Sequence, residues 1–233
     1  MIRMVLLLLA LWGVGFGGEA IRERYVVVQA ALHVGMPEIA LAELDNIPES
    51  AQDADYWLHR GNALQQLGRF EEAIDAFSKR IRKAPRDAAG YNGIGTAYSA
   101  AGDLASGAAY LRKATQLAPM EGRYYHDLAK TQLLQKEYER AQKSLEIALR
   151  LGGGREAAMH LGQTLALRGD KERAKALLMR YFDVHEVYLH LGEAYELGGD
   201  LAAAIEQYRL SLLAVPEYPP AAAGLKRLTG VSQ

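Results

Sequence analysis

Trp57-Leu-His-Arg-Gly61, then Phe70-Glu-Glu-Ala73-Ile-Asp-Ala-Phe77, then Pro85, is the stretch that decides the fold. Two apolar patterns of helical period flank Gly68, and the proline ends the second of them. Working outward, the same arrangement recurs along the chain. Glycine or a substitute stands at Gly35, Gly68, Gly102, Lys136, Gly169 and Gly199, at spacings of 33, 34, 34, 33 and 30 residues. A period of this length is the signature of stacked helical hairpins. Each turn residue ends a first helix, because glycine accepts a positive φ without strain.

Two other positions recur with the turn. Seven residues before it come Val28, Gly61, Gly95, Ala129, Gly162 and Gly192. Five residues after it come Ala40, Ala73, Gly107, Ala141, Ala174 and Ala204. These two small positions are expected to face each other where the helices of one hairpin cross. Leu44, Phe77, Leu111, Leu145, Leu178 and Tyr208 fill the seams on the second helices. Pro85, Pro119 and Pro216 stop the second helices of their units.

Residues 57–85 resemble the tetratricopeptide repeat almost position for position, and the resemblance extends over residues 21 to about 218. It implies an all-α, right-handed solenoid of about six helical hairpins. Residues 19–53 make a degenerate first unit, with Arg24 where an aromatic is expected and Pro37 in its second helix. Residues 54–218 make five further units, and residues 219–233 a capping helix and tail with Lys226 and Arg227 towards solvent. The unit starting after Gly169 is only 30 residues long, so its second helix is expected to end near Tyr181.

Composition narrows the function. Half of the residues are hydrophobic, and 28 acidic residues nearly cancel 27 basic ones. A nucleic-acid partner is therefore not expected, since phosphate binding needs a basic excess. The chain has no cysteine, which removes disulfides and thiolate chemistry. Arg3 precedes fifteen residues, 4–18, with no charged side chain. That pattern reads as an export signal or a short membrane anchor in segment 1–18. The expected location is a cell envelope: anchored in an inner membrane facing the periplasm or exterior, or periplasmic after cleavage.

The resemblance also implies a groove lined by first helices. Its polar positions are His59, Asn62, Asn92, Thr96, His126, Lys130, His160, Gln163, His190 and Glu193, with Leu58, Asp127 and Leu189 beside them. Such a surface suits an extended segment or a partner helix, and reads equally as a solvated helix face. A carboxylate clamp of the chaperone-binding kind is not expected, because Leu58 stands at its lysine position. A basic cluster of Lys79, Arg82, Lys83 and Arg86 offers a second contact surface, around an unusual Arg80. The same cations complement a helix C-terminus.

No catalytic constellation is expected. His185 and His190 are five residues apart, off the common helical face that a zinc-protease pair needs. His59, His160 and His190 hold equivalent positions in different units, too far apart for one ion, so no metal and no cofactor is expected. The expectation is a non-catalytic scaffold for protein partners in a membrane or envelope complex, without a small-molecule substrate. The alternatives are an accessory structural subunit of a membrane-bound enzyme or electron-transfer complex and, more remotely, the regulatory domain of an enzyme.

Overall fold

The computed structural model describes residues 17–230. Among them are thirteen α-helices and no strand. The contacts divide the chain into two compact units, with the break between Ala118 and Pro119. The apolar run at 4–18 lies outside the described residues except for Gly17 and Gly18, which open the first helix. Among the described residues, no helix is long and apolar enough to cross a membrane.

The first unit holds three hairpins: α1 (Gly17–His33) with α2 (Pro37–Asp45), α3 (Ala54–Gln66) with α4 (Phe70–Lys83), and α5 (Ala88–Ala100) with α6 (Leu104–Leu117). The second holds α7 (Gly122–Leu134) with α8 (Tyr138–Arg150), α9 (Gly154–Leu167) with α10 (Lys171–Leu178), and α11 (Val184–Gly198) with α12 (Leu201–Ala214), followed by α13 (Pro219–Thr229).

The hairpin turns have a local cause. All six turn residues are left-handed, including Lys136 at φ 59°. The Gly-Asp pairs act as one device. Glycine ends the first helix, and the side chain of Asp103, Asp170 or Asp200 accepts a backbone N–H from the first turn of the second helix. At Gly68-Arg69 no side-chain cap exists, and Arg69 pairs with Glu72 instead.

The crossings differ from the expectation in one respect. The glycine seven residues before the turn faces the large residue nine after it, not chiefly the small one. A Cβ on Gly61, Gly162 or Gly192 would lie 2.5–2.7 Å from Phe77, Leu178 or Tyr208. At Gly95 the small partner also closes in, with the Gly107 carbonyl 3.0 Å from the added Cβ beside Leu111 at 2.6 Å. Phe77 is also covered from the next hairpin by Gly93, and Tyr208 from the capping helix by Gly224. One fully buried side chain thus fills the seam within a hairpin and the seam to its neighbour.

Pro37 lies in the second helix of the first hairpin as its first residue, where a missing N–H costs nothing. The helix after Gly169 stops at Leu178 rather than near Tyr181, so α11, which packs mainly on its hairpin partner α12, meets the preceding hairpin through α9 and barely touches α10. Arg227 is exposed and also ion-paired. It forks onto Glu196 at 2.7 Å through both Nε and Nη2, while the Tyr208 hydroxyl donates to the same carboxylate at 2.6 Å. That contact fastens α13 to α11.

Candidate functional site

The first helices of successive hairpins bring side chains together in a fixed register. The residue ten before one turn meets the residue nine before the next. In the first unit this pairs Tyr25 with His59, ring centroids 5.6 Å apart. In the second it pairs His126 with His160, where Nε2 and Nδ1 are 2.8 Å apart. Two further contacts join neighbouring first helices: Thr96 to Gln65 at 3.3 Å and Gln163 to Glu193 at 2.9 Å.

In the first unit the row comprises His59, Asn62, Asn92 and Thr96. His59 sits against Tyr25, whose hydroxyl donates to Asp53 at 3.0 Å. Asp53 caps α3 by accepting the Tyr56 N–H. Burial pushes the His59 imidazole below its usual pKa, and the Thr96 hydroxyl also donates to the Gly93 carbonyl at 3.0 Å.

The second unit gathers more of the predicted residues. Nδ1 of His190 lies 3.0 Å from the Glu193 carboxylate that receives the Gln163 amide. The His190 ring stands edge-on to Phe182, and the Arg155 guanidinium lies 4.3 Å over the Phe182 ring. Phe182 belongs to the loop created by the early end of α10. Arg155 is also paired with Glu186, the residue that closes the capping box of α11 with Asp183. Lys130 is exposed on α7, and its charge acts on His126 and His160. Leu189 does not line the surface; it is 6% exposed and belongs to the core, because His190 holds the outward direction. His185 packs against Tyr218, away from His190.

Burial pushes both histidines of the central pair down, His126 below its usual value and His160 to about 4. Each is also disfavoured as a cation by Lys130 and favoured by Glu156. The pair therefore stands neutral at pH 7. Glu156, four residues before His160 on α9, places a carboxylate oxygen 3.9 Å from His126 Nε2. The sequence comparison of His59, His160 and His190 missed this grouping. The signal was present in the ten-and-nine register of the repeat.

The basic cluster separates into different roles. Arg80 is 8% exposed: its Nη1 donates to the Ala54 carbonyl at 2.7 Å and to Asp55 at 3.1 Å, and Nη2 pairs with Asp87. Lys79 lies 4.5 Å over the Trp57 ring and pairs with Asp75. Arg82, Lys83 and Arg86 are exposed.

Helical hairpins of this period, with glycine crossings and a polar first-helix row, define the class of helical repeat proteins that present side chains to other proteins. The tetratricopeptide repeat profile matches residues 28–88, 58–121 and 126–181, and a second profile of the same description matches residues 185–217. The chain belongs to the tetratricopeptide repeat family, whose members mediate protein–protein interaction. Among similar proteins is the Hsp70-Hsp90 organizing protein of Triticum aestivum, 28% identical over 97 residues, which are 42% of this chain and 17% of that protein. The alignment thus spans about a sixth of that relative. Among solved structures, PilF of Pseudomonas aeruginosa has a TM-score of 0.66 at 17% identity, covering 91% of this chain and 97% of that one. A thermophilic tetratricopeptide protein of Thermus thermophilus has a TM-score of 0.59 at 18% identity, covering 91% and 100%. YrrB, described as having an unusual peptide-binding site, has a TM-score of 0.56 at 19% identity, covering 75% and 93%. At these identities the structural likeness establishes the fold.

Proposed function

We propose that this chain is a non-catalytic scaffold whose first-helix row holds an extended segment of a protein partner. The single observation that carries this reading is the way α7, α9 and α11 align Lys130, Gln163, His190 and Glu193 with mixed charge and hydrogen-bonding capacity. Backbone amides and carbonyls of an extended segment can satisfy such groups, while apolar neighbours give selectivity. The peptide-binding site named for YrrB and the organizing role named for the wheat protein agree with this reading.

The apolar run at 4–18 supports an envelope location, either as an anchor or as an export signal. In this reading the repeats stand outside an inner membrane and serve the assembly or stability of a membrane complex. The test is co-purification from solubilised membranes with the full-length chain. A Lys130→Ala, Gln163→Ala, Glu193→Ala variant should keep its helicity and lose its partner. Retention of the partner by that variant, with loss on Arg82→Glu and Lys83→Glu, would move the site to the basic surface and favour an accessory subunit docked by its outer face.

A further inference from the structure

Within the same first-helix row, the second unit holds a compact group of metal-competent atoms. His126 on α7, and Glu156 and His160 on α9, each offer one ligand atom, and these atoms all lie within 4.8 Å of one another. Glu156 and His160 are four residues apart, the spacing that places two side chains on one face of a helix. The register between hairpins then sets His126 against them.

We propose that His126 Nε2, His160 Nδ1 and a Glu156 carboxylate oxygen bind a divalent transition-metal ion of the zinc class. Zinc takes imidazole nitrogen at ~2.0–2.1 Å, so two such ligands in a tetrahedral shell stand ~3.3 Å apart. The two nitrogens are 2.8 Å apart, and small side-chain rotations open that gap. The Glu156 oxygen is 3.9 Å from His126 Nε2, and its side chain, 65% exposed, is free to close in. Two imidazoles and one carboxylate are a donor set suited to zinc, with the fourth position left for water.

The surroundings favour this assignment. The His126 side chain is only 12% exposed, so the imidazole is held in place rather than searching solvent. Both imidazoles are neutral at pH 7, the state that ligates, because burial disfavours their cations. Charge also balances in favour of a cation: the carboxylates of Glu156 and Asp127 face the group, against the ammonium of Lys130. His190 from α11 faces His160 as well. The two imidazole nitrogens are already within contact of each other, and the Glu156 carboxylate adds the third donor to the group.

The experiment is a titration of the chelator-treated full-length chain with zinc chloride against a chromogenic chelator, with cobalt chloride in parallel to read the geometry by visible absorption. One equivalent should bind, and cobalt should give the intense bands of a four-coordinate site. His126→Asn and His160→Asn should each abolish that uptake, and Glu156→Gln should weaken it by at least about tenfold, since loss of an outer-shell partner alone costs that much. His59→Asn and His185→Asn should leave it unchanged. Failure of the wild type to take up one equivalent overturns the site, as does uptake unchanged by His126→Asn and His160→Asn. Where a histidine variant loses its far-ultraviolet dichroism, the exposed Glu156→Gln carries the test, and unaltered zinc affinity in that variant overturns the three-ligand assignment.

Discussion

Gly93 lies against the ring of Phe77, so that a Cβ on the glycine would sit 2.5 Å from the ring. The two residues belong to successive hairpins, and Gly61 covers the same ring from within the first of them. The repeat is thus held by large side chains received by glycine, and substitutions at glycine test the register directly.

Gly95→Leu should destabilise the first unit by ~1–3 kcal/mol or more, because the added side chain meets Leu111 and the Gly107 backbone. Gly68→Ala is the contrast. Its Cβ would meet nothing within 4 Å, and its cost is only the left-handed backbone at φ 72°, about 1–2 kcal/mol. Urea unfolding midpoints should rank wild type above Gly68→Ala above Gly95→Leu. Equal midpoints for the wild type and Gly95→Leu would show that the crossing is not there.

Arg80→Met should cost about 1.5–3 kcal/mol, since it leaves the Ala54 carbonyl and the Asp55 and Asp87 carboxylates without their shared donor. Arg80→Lys should recover less than half, because an ammonium cannot fork between them. Thermal unfolding of the three proteins at one ionic strength checks this.

Acid should weaken the second unit through its histidine pair. The folded values of His126 and His160 are lowered, so between about pH 4 and pH 6.5 the unfolded chain binds more protons than the folded one. This contribution to stability is complete above pH 6.5, is lost as pH falls towards 4, and is constant below that. A His126→Gln, His160→Gln variant measured with chelator should show a shallower loss over that window, by about one to two protons. An unchanged slope would mean that the pair is not buried as described.

Much of the fold was legible because it repeats. One unit, Trp57 to Pro85, supplied the register, and Lys136 could be placed at a turn without being glycine because its neighbours in the period fixed it. Contacts that depend on side-chain reach were not legible. Arg80 stood out in the sequence only as unusual for its position; it folds inward to aspartates that lie 25 residues before and seven after it. The His126–His160 pair was missed because equivalent positions were compared, whereas neighbouring hairpins are offset by one residue in their contacts. Leu189 was misplaced too: it holds the same position before its turn as His126, yet its side chain joins the core.

The apolar run at 4–18 should keep the chain in the membrane fraction, with the repeats accessible to protease on the exported side. The intact mass of the purified protein decides retention. A mature chain beginning near Ile21 would exclude the anchor and leave export standing.

The central claim is that the partner lies along the first helices, and site-specific photo-crosslinking tests it most directly. A photoreactive residue replacing exposed Lys130 on α7, or Asn62 on α3, should give an adduct with the co-purifying protein, whereas the same residue at exposed Lys113 on α6 should give none. Adducts from Lys113 or Arg82, with none from Lys130 and Asn62, would contradict the account and place the partner on another face.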